Sequence, residues 1–354
     1  MKRTIIIVLA GCIVAVAGYA YVRHAREKSA STQAADAFRV APRGAAAGSA
    51  AIYAPGDASD LVRQLPAGAS AVIFADMAAL RAAPIGSEIS SLAPAQAQDP
   101  EYTAFVRATG FDYSRDLDRA ALALWPKSSP TTVVAIAQGK FDRRKIERYA
   151  LRSGRLVKQG KWKIYEVPET NPPRTIRLVF LSPTEIALAD GPGLSKLLVP
   201  GSSDRLDPEM SRRVDQVGGA AIFGVARTPN LPKDLGIDPA HSAQLAHLLQ
   251  SVHNITVAAQ PAGQNLSVSA AAECDSTLDA FQLSTALEGL VWMGRAALAD
   301  PKTQQQIGPQ WPALTALLKA ADVSHDSHFV RLHLSITPQI LRAAGSGPQA
   351  AATK

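Results

Sequence analysis

Residues 65–76 read Leu65-Pro66-Ala67-Gly68-Ala69-Ser70-Ala71-Val72-Ile73-Phe74-Ala75-Asp76. The second half of this stretch is a run of small and branched apolar residues, which is typical of a buried strand. Asp76 follows the run directly, and a short acidic side chain at that point caps a helix. We expect this helix to continue through Leu80 and Ile85 towards Leu92. The stretch therefore predicts a body that mixes strands and helices.

The rest of the chain repeats this mixture, with turn residues between short apolar runs. Its patterns predict strands at 120–124 and 132–137, a helix capped by Asp142, and hairpins pairing 155–158 with 161–167 and 176–181 with 185–189. The proline-rich loop 168–173 is expected to separate the two hairpins. Later patterns predict paired strands 253–260 and 264–274, a helix from a Ser276/Asp279 capping box to Leu298, and a hairpin at 323–336. The expected fold class is α+β, with largely antiparallel sheets and packed helices.

Two parts of the chain resemble each other. Gly218-Gly219-Ala220-Ala221-Ile222-Phe223 resembles residues 68–73, and Gly236-Ile237-Asp238 resembles Gly110-Phe111-Asp112. Paired strands follow in both cases. We interpret this as two diverged copies of one unit, the first at 61–206 and the second at 207–344.

The N-terminus carries an uncharged, mostly apolar run at residues 5–22, flanked by basic residues. As a helix it would be roughly 27 Å long, enough to cross a bilayer core. Residues 1–28 are therefore expected to be a single-pass membrane anchor or a signal segment, followed by an Ala/Gly/Pro/Ser-rich flexible linker at 29–60. Residues 345–354 resemble this linker and are expected to be a disordered tail.

Two other interpretations of the N-terminus stay open. A signal peptide could be cleaved after Ala17, or Leu9-Ala10-Gly11-Cys12 could act as a lipobox with the lipid on Cys12. All three interpretations export the body. We expect an inner-membrane protein with its body in the periplasm, the alternatives being a lipoprotein or a secreted periplasmic protein.

Composition and missing motifs exclude several classes of protein. The chain has 354 residues, a net charge of +7 and two cysteines, so it is neither a disordered polyelectrolyte nor a disulfide scaffold. It contains no phosphate-binding GxxxxGK[ST] loop, no GxGxxG, no GxSxG and no HExxH. No cofactor is predicted, and whether the protein is an enzyme stays open, with a non-enzymatic role favoured.

The weak candidates for metal ligands are His325 and His328, in a turn that also holds Asp326. Convergence of three or four ligands is needed to bind a metal ion, and we expect His328 and His333 to lie on opposite strand faces, with Arg331 nearby. An exported metal-assisted hydrolase using this region is one alternative function.

A basic stretch lies at residues 140–177. It holds twelve Lys or Arg and four Asp or Glu, a net charge of +8 against +7 for the whole chain. Arg144, Arg148 and Arg152 have helical spacing and predict one basic side that binds anionic lipid or an acidic envelope polymer. A second alternative function is a cleaved, soluble periplasmic protein that binds an anionic ligand here. Nucleic acid is not an expected partner of an exported protein.

Residues 65–81, Gly110-Phe111-Asp112 and Gly139-Lys140-Phe141-Asp142 resemble a group of uncharacterised bacterial membrane-anchored or exported proteins. The resemblance covers about residues 61–198. It implies an α+β envelope domain and supplies no catalytic residues. The function we expect is a non-enzymatic binding or scaffolding module, held near the membrane by residues 5–22, with protein partners unspecified.

Overall fold

The structure is a computed structural model that describes residues 60–91, 100–125, 132–170, 173–190, 193–198, 206–227, 250–307 and 311–345. The predicted anchor, linker and C-terminal tail lie outside these residues, apart from residue 60 of the linker and residue 345 of the tail. The turn predicted at 236–238 also lies outside them.

The body mixes helices with one large antiparallel sheet, which confirms the predicted fold class. The helices are α1 (Asp60–Arg63), α2 (Met77–Ala82), α3 (Gly86–Ser91), α4 (Pro100–Thr109), α5 (Tyr113–Asp116), α6 (Arg143–Ala150), α7 (Gly193–Leu198), α8 (Pro208–Val217), α9 (Thr277–Ala299), α10 (Pro301–Ile307), α11 (Trp311–Ala320) and α12 (Pro338–Gly345). The strands are β1 (Ala71–Asp76), β2 (Leu117–Trp125), β3 (Thr132–Gly139), β4 (Arg155–Gln159), β5 (Trp162–Thr170), β6 (Pro173–Ser182), β7 (Glu185–Asp190), β8 (Ile222–Arg227), β9 (Val252–Ala262), β10 (Asn265–Cys274), β11 (Asp322–Asp326) and β12 (Phe329–Ile336).

The sheet has twelve strands in the order β11-β12-β10-β9-β8-β1-β2-β3-β7-β6-β5-β4, and each neighbouring pair is antiparallel. The stretch at residues 65–76 supplies β1, which lies at the centre between β2 and β8. Phe74 of β1 faces Phe223 of β8, and their stacked rings are 5.1 Å apart. The apolar run is therefore buried because strands cover both of its edges.

Helices cover the two faces of the sheet unequally. The first face, which carries Val72, Phe74 and Phe223, packs against α1, α7 and α8. The second face packs against α4, α5 and α6 over one half of the sheet, and against α2, α3, α9 and α12 over the other parts. This division follows from the alternation of side chains along each strand.

Two local predictions were wrong. The helix expected from Asp76 towards Leu92 is two helices, α2 and α3, with Pro84 between them. Proline has no N–H to continue the ladder of helical hydrogen bonds, so α2 ends before it. Asp76 does cap α2, since its Oδ1 accepts a hydrogen bond from the amide of Ala79 at 2.8 Å.

The loop predicted at residues 168–173 does not separate two hairpins. The strands β5 and β6 stay paired as far as Thr170 and Pro173, so β4 to β7 form one meander. Strand β4 begins at Arg155, opposite Glu166. Beyond Glu166 no described strand pairs with one edge of β5, and proline is tolerated at such an edge.

Candidate binding surface

The helix α9 begins at the predicted capping box. Ser276 accepts a hydrogen bond from the amide of Asp279 at 3.1 Å, and its hydroxyl donates to the Asp279 carboxylate. The inner side of α9 carries Ala280 and Leu283, which pack with Val252 and Val330 on the second face of the sheet. The helix is thus fixed to the body at its start and along its length.

The outer side of α9 is apolar and exposed. We call the positions 278, 281, 285, 289, 292 and 296 the outer stripe, because their spacing of three or four residues places them along one side of the helix. Leu278 is 63% exposed, Phe281 44% and Trp292 64%, and Met293 is exposed beside the stripe. Helices on a protein surface ordinarily turn charged and polar residues outward, so this side of α9 needs an explanation.

The sequence contained a signal for this surface that its periodicity did not reveal. Asp279, Glu288 and Arg295 are the three charged residues among the 23 of α9. A helix with so few charges cannot have a fully polar side. Arg295 adds no charge to the outer stripe, because its guanidinium points to α11. It donates hydrogen bonds to the carbonyls of Leu318 and Ala321, at 2.9 and 3.0 Å.

Close packing holds the inner side of α9 in place. A Cβ atom added at Gly294 would lie 2.8 Å from Cδ1 of Leu318, so a larger residue there would require the Leu318 side chain of α11 to shift. The outer stripe is therefore exposed on a helix that is firmly packed on its other side.

No helix in the part of the chain that the structure describes is long and apolar enough to span a membrane.

Fewer arginines of the basic stretch line up on one exposed helix side than the sequence predicted. Arg144 and Arg148 are exposed on α6, and neither forms an ion pair with a described carboxylate. Arg152 lies past the last residue of α6, with its guanidinium 5.6 Å from the ring centre of Tyr149. The helix therefore aligns two of the three predicted arginines.

Other charges of the basic stretch are neutralised within it. Glu166 is buried and accepts hydrogen bonds from Arg155 and Arg177, each at 2.9 Å. These two guanidinium groups lower the pKa of Glu166 below its ordinary value. Arg143 pairs with Glu147 at 2.7 Å.

The histidines predicted as metal ligands have separate partners. Nδ1 of His325 lies 3.1 Å from the hydroxyl of the buried Ser284, beneath α9. Nε2 of His328 lies 3.7 Å from Glu273, across the sheet from that pair. No group of three or more His, Cys, Asp or Glu that could hold a metal ion occurs among the described residues.

Of the two cysteines, the structure describes Cys274. Cys274 is buried in the core beneath α9. Burial, with the charges of nearby carboxylates, raises the pKa of its thiol to about 11. Cys12, the candidate for lipidation, lies outside the described residues.

Comparison with known proteins returns structural matches at low sequence identity. No family model and no curated protein matches the chain. Crystal form III of TP0453 is similar with a TM-score of 0.47 and 9% identity, over 82% of this chain and 100% of that one. Form I gives a TM-score of 0.43 and 10% identity over 82% and 98%, and form IV gives 0.44 and 10% over 81% and 97%.

Proposed function

We propose that the chain is a single-pass membrane-anchored protein of the bacterial cell envelope, and that its body is a non-enzymatic binding module. The observation that carries this proposal is the outer stripe of α9, where Leu278 and Trp292 expose more than half of their surface. Contiguous exposed apolar surface on a soluble body marks a site of interaction. The body presents such a surface on a rigid helix.

The anchor in this proposal is a helix over residues 5–22. Its apolar composition and length suit one bilayer crossing, and the linker at 29–60 joins it to the body. A flexible linker of that length has an end-to-end distance of roughly 30 Å. The anchor would therefore keep the body close to the periplasmic surface of the inner membrane.

We also infer that the body is built from two diverged copies of one unit. The support is the order of strands on each side of the central β1–β8 pair. In the first half, which holds β1 to β7, the strands follow the order β1-β2-β3 and then β7, the last strand of that half. In the second half, which holds β8 to β12, they follow the order β8-β9-β10 and then β12, again the last strand. In both halves a capped helix, α6 or α9, follows the third strand.

A second candidate function is the binding of an anionic ligand by a cleaved, periplasmic form of the protein. The observation that favours it is the pair of exposed arginines on α6, Arg144 and Arg148, which face no described carboxylate. We do not propose the metal-assisted hydrolase, because His325 and His328 contact different groups on different faces of the sheet.

Cell fractionation tests the anchor. The full chain should stay in the membrane pellet at high salt and after carbonate extraction, whereas a chain that begins at Leu61 should be soluble. Mature full-length protein free in the periplasm would refute the anchor and favour cleavage after Ala17. Metabolic labelling by palmitate that is lost in Cys12→Ser would select the lipoprotein instead.

A further inference from the structure

We propose that the outer stripe of α9 docks on the lipid bilayer, at the boundary between the head groups and the acyl chains. This inference rests on the proposed membrane anchor and names the partner of the binding surface. The body would then lie on the membrane surface and contact it in two ways, through the N-terminal anchor with its linker and through α9.

The chemistry of the stripe suits lipid better than protein. Thr285 is the one polar side chain at the stripe positions, and its hydroxyl donates to the carbonyl of Phe281 at 2.8 Å. Protein partners usually form about one hydrogen bond per 100–200 Å² of interface, and beyond Thr285 the side chains of the stripe offer one further donor, the indole N–H of Trp292. Gln282 and Glu288 border the stripe on its two sides, where head groups would solvate them.

The size of the stripe also disfavours a second copy of this chain as the occupant. From residue 278 to residue 296 the helix rises roughly 27 Å, and a side about 10 Å wide gives roughly 300 Å². A stable dimer buries about 800 Å² on each partner. A bilayer needs no matching surface, and the tether supplies a high local concentration of lipid, so a small apolar contact is sufficient.

Trp292 fits the membrane boundary in particular. Its ring is 64% exposed, and its indole N–H makes no hydrogen bond to a described residue. Tryptophan is enriched at this depth of a bilayer because its ring is apolar while its N–H seeks polar groups. Leu278 and Phe281 lie on the same side of the helix and would enter the acyl region with it.

The test uses the full chain in neutral phosphatidylcholine nanodiscs whose acyl chains carry bromine near the head group. Bromine quenches tryptophan at short range, and the chain has four tryptophans. We expect quenched emission in the wild type, and loss of the quenched component in Trp292→Leu, which keeps the stripe apolar. Leu278→Gln with Phe281→Gln should lower the docked fraction on the order of 10-fold or more, through lost apolar burial.

A matched control separates the stripe from apolar surface in general. Leu151 and Leu156 are 45% and 40% exposed elsewhere, and changing both to Gln should leave the quenching unchanged. Quenching should also persist in 1 M salt, because apolar docking is not screened.

Three outcomes would overturn the inference. Quenching that Trp292→Leu does not change would place another tryptophan in the lipid. A blue shift of emission that depends on protein concentration, without quenching, would assign the stripe to a second copy. An embedded chain with no quenching refutes lipid docking alone, whereas a chain that leaves the nanodiscs on carbonate treatment refutes the anchor as well.

Discussion

The centre of the sheet offers the sharpest test of the fold, through truncation of Phe223. Its side chain is 1% exposed and stacks on Phe74 at 5.1 Å, across the pair of strands that joins the two halves. Replacing a buried phenylalanine by alanine removes apolar burial and leaves a cavity, and costs about 3–5 kcal/mol of unfolding free energy. Because whole domains are stable by about 5–15 kcal/mol, Phe223→Ala should remove a large share of the total.

Chemical unfolding followed by circular dichroism measures this loss. The full chain in neutral detergent should show a lower midpoint in guanidinium, with an unchanged slope. A double-mutant cycle with Phe74→Leu and Phe223→Leu should give a coupling of about 0.5–1.5 kcal/mol for the aromatic pair. Leu278→Ala is the control, because that leucine is 63% exposed and its loss should change stability by about 0.5 kcal/mol or less.

Two results would refute this reasoning. A cost for Phe223→Ala under about 1 kcal/mol would mean that the residue is not buried at a packed junction. A coupling of zero between the two phenylalanines would mean that their rings do not stack across the β1–β8 pair.

Two further predictions concern charge. Changing Arg144, Arg148 and Arg152 to Gln in the chain that begins at Leu61 should weaken binding to anionic vesicles, measured by co-sedimentation, on the order of 10²-fold, at about 1 kcal/mol per charge. The control variant, Lys302→Gln with Lys319→Gln, should bind as the unchanged chain does. Equal loss of binding in both variants would exclude a local basic surface. The lowered pKa of Glu166 stabilises the fold above the ordinary glutamate pKa of 4.5, and this stabilisation is lost as the pH falls through the lowered value. The thermal midpoint of Glu166→Gln should therefore lie below that of the wild type at pH 7 and approach it at pH 3, and a difference that stays constant with pH would contradict the ion-pair assignment.

Sequence could predict the elements whose causes are local. The caps at Asp76, Asp142 and Ser276 all form, because a capping side chain needs only the amide three residues ahead. The order of the strands could not be predicted in this way. It depends on which edges meet in space, and nothing next to β1 in the chain says that its second neighbour is β8, about 150 residues away.

The same difference separates the two candidate surfaces: the basic side of α6 could be predicted from the sequence, and the outer stripe of α9 could not. Exposure of Arg144 and Arg148 followed from a helix with a clear apolar side, since Ile146 and Ala150 are buried. The outer stripe escaped prediction because α9 is apolar nearly all round. Its periodicity does not tell which side faces the sheet, and only the contacts of Ala280 and Leu283 with the core decide it.

We expect that the two surfaces cannot contact the same flat membrane at once. Both α6 and α9 pack on the second face of the sheet, but α6 lies over β5 to β7 and α9 over β10 to β12. Eight strand-to-strand steps separate β6 from β12. At a typical twist of roughly 20–25° for each step, a sheet would turn by about half a revolution over that distance. We therefore expect the outward sides of the two helices to point in different directions. If α9 docks on lipid as we propose, Arg144 and Arg148 would face away from that bilayer. In the anchored protein the basic side would then be free for an anionic envelope polymer, and anionic lipid would compete with such a ligand only after the body is released from its tether.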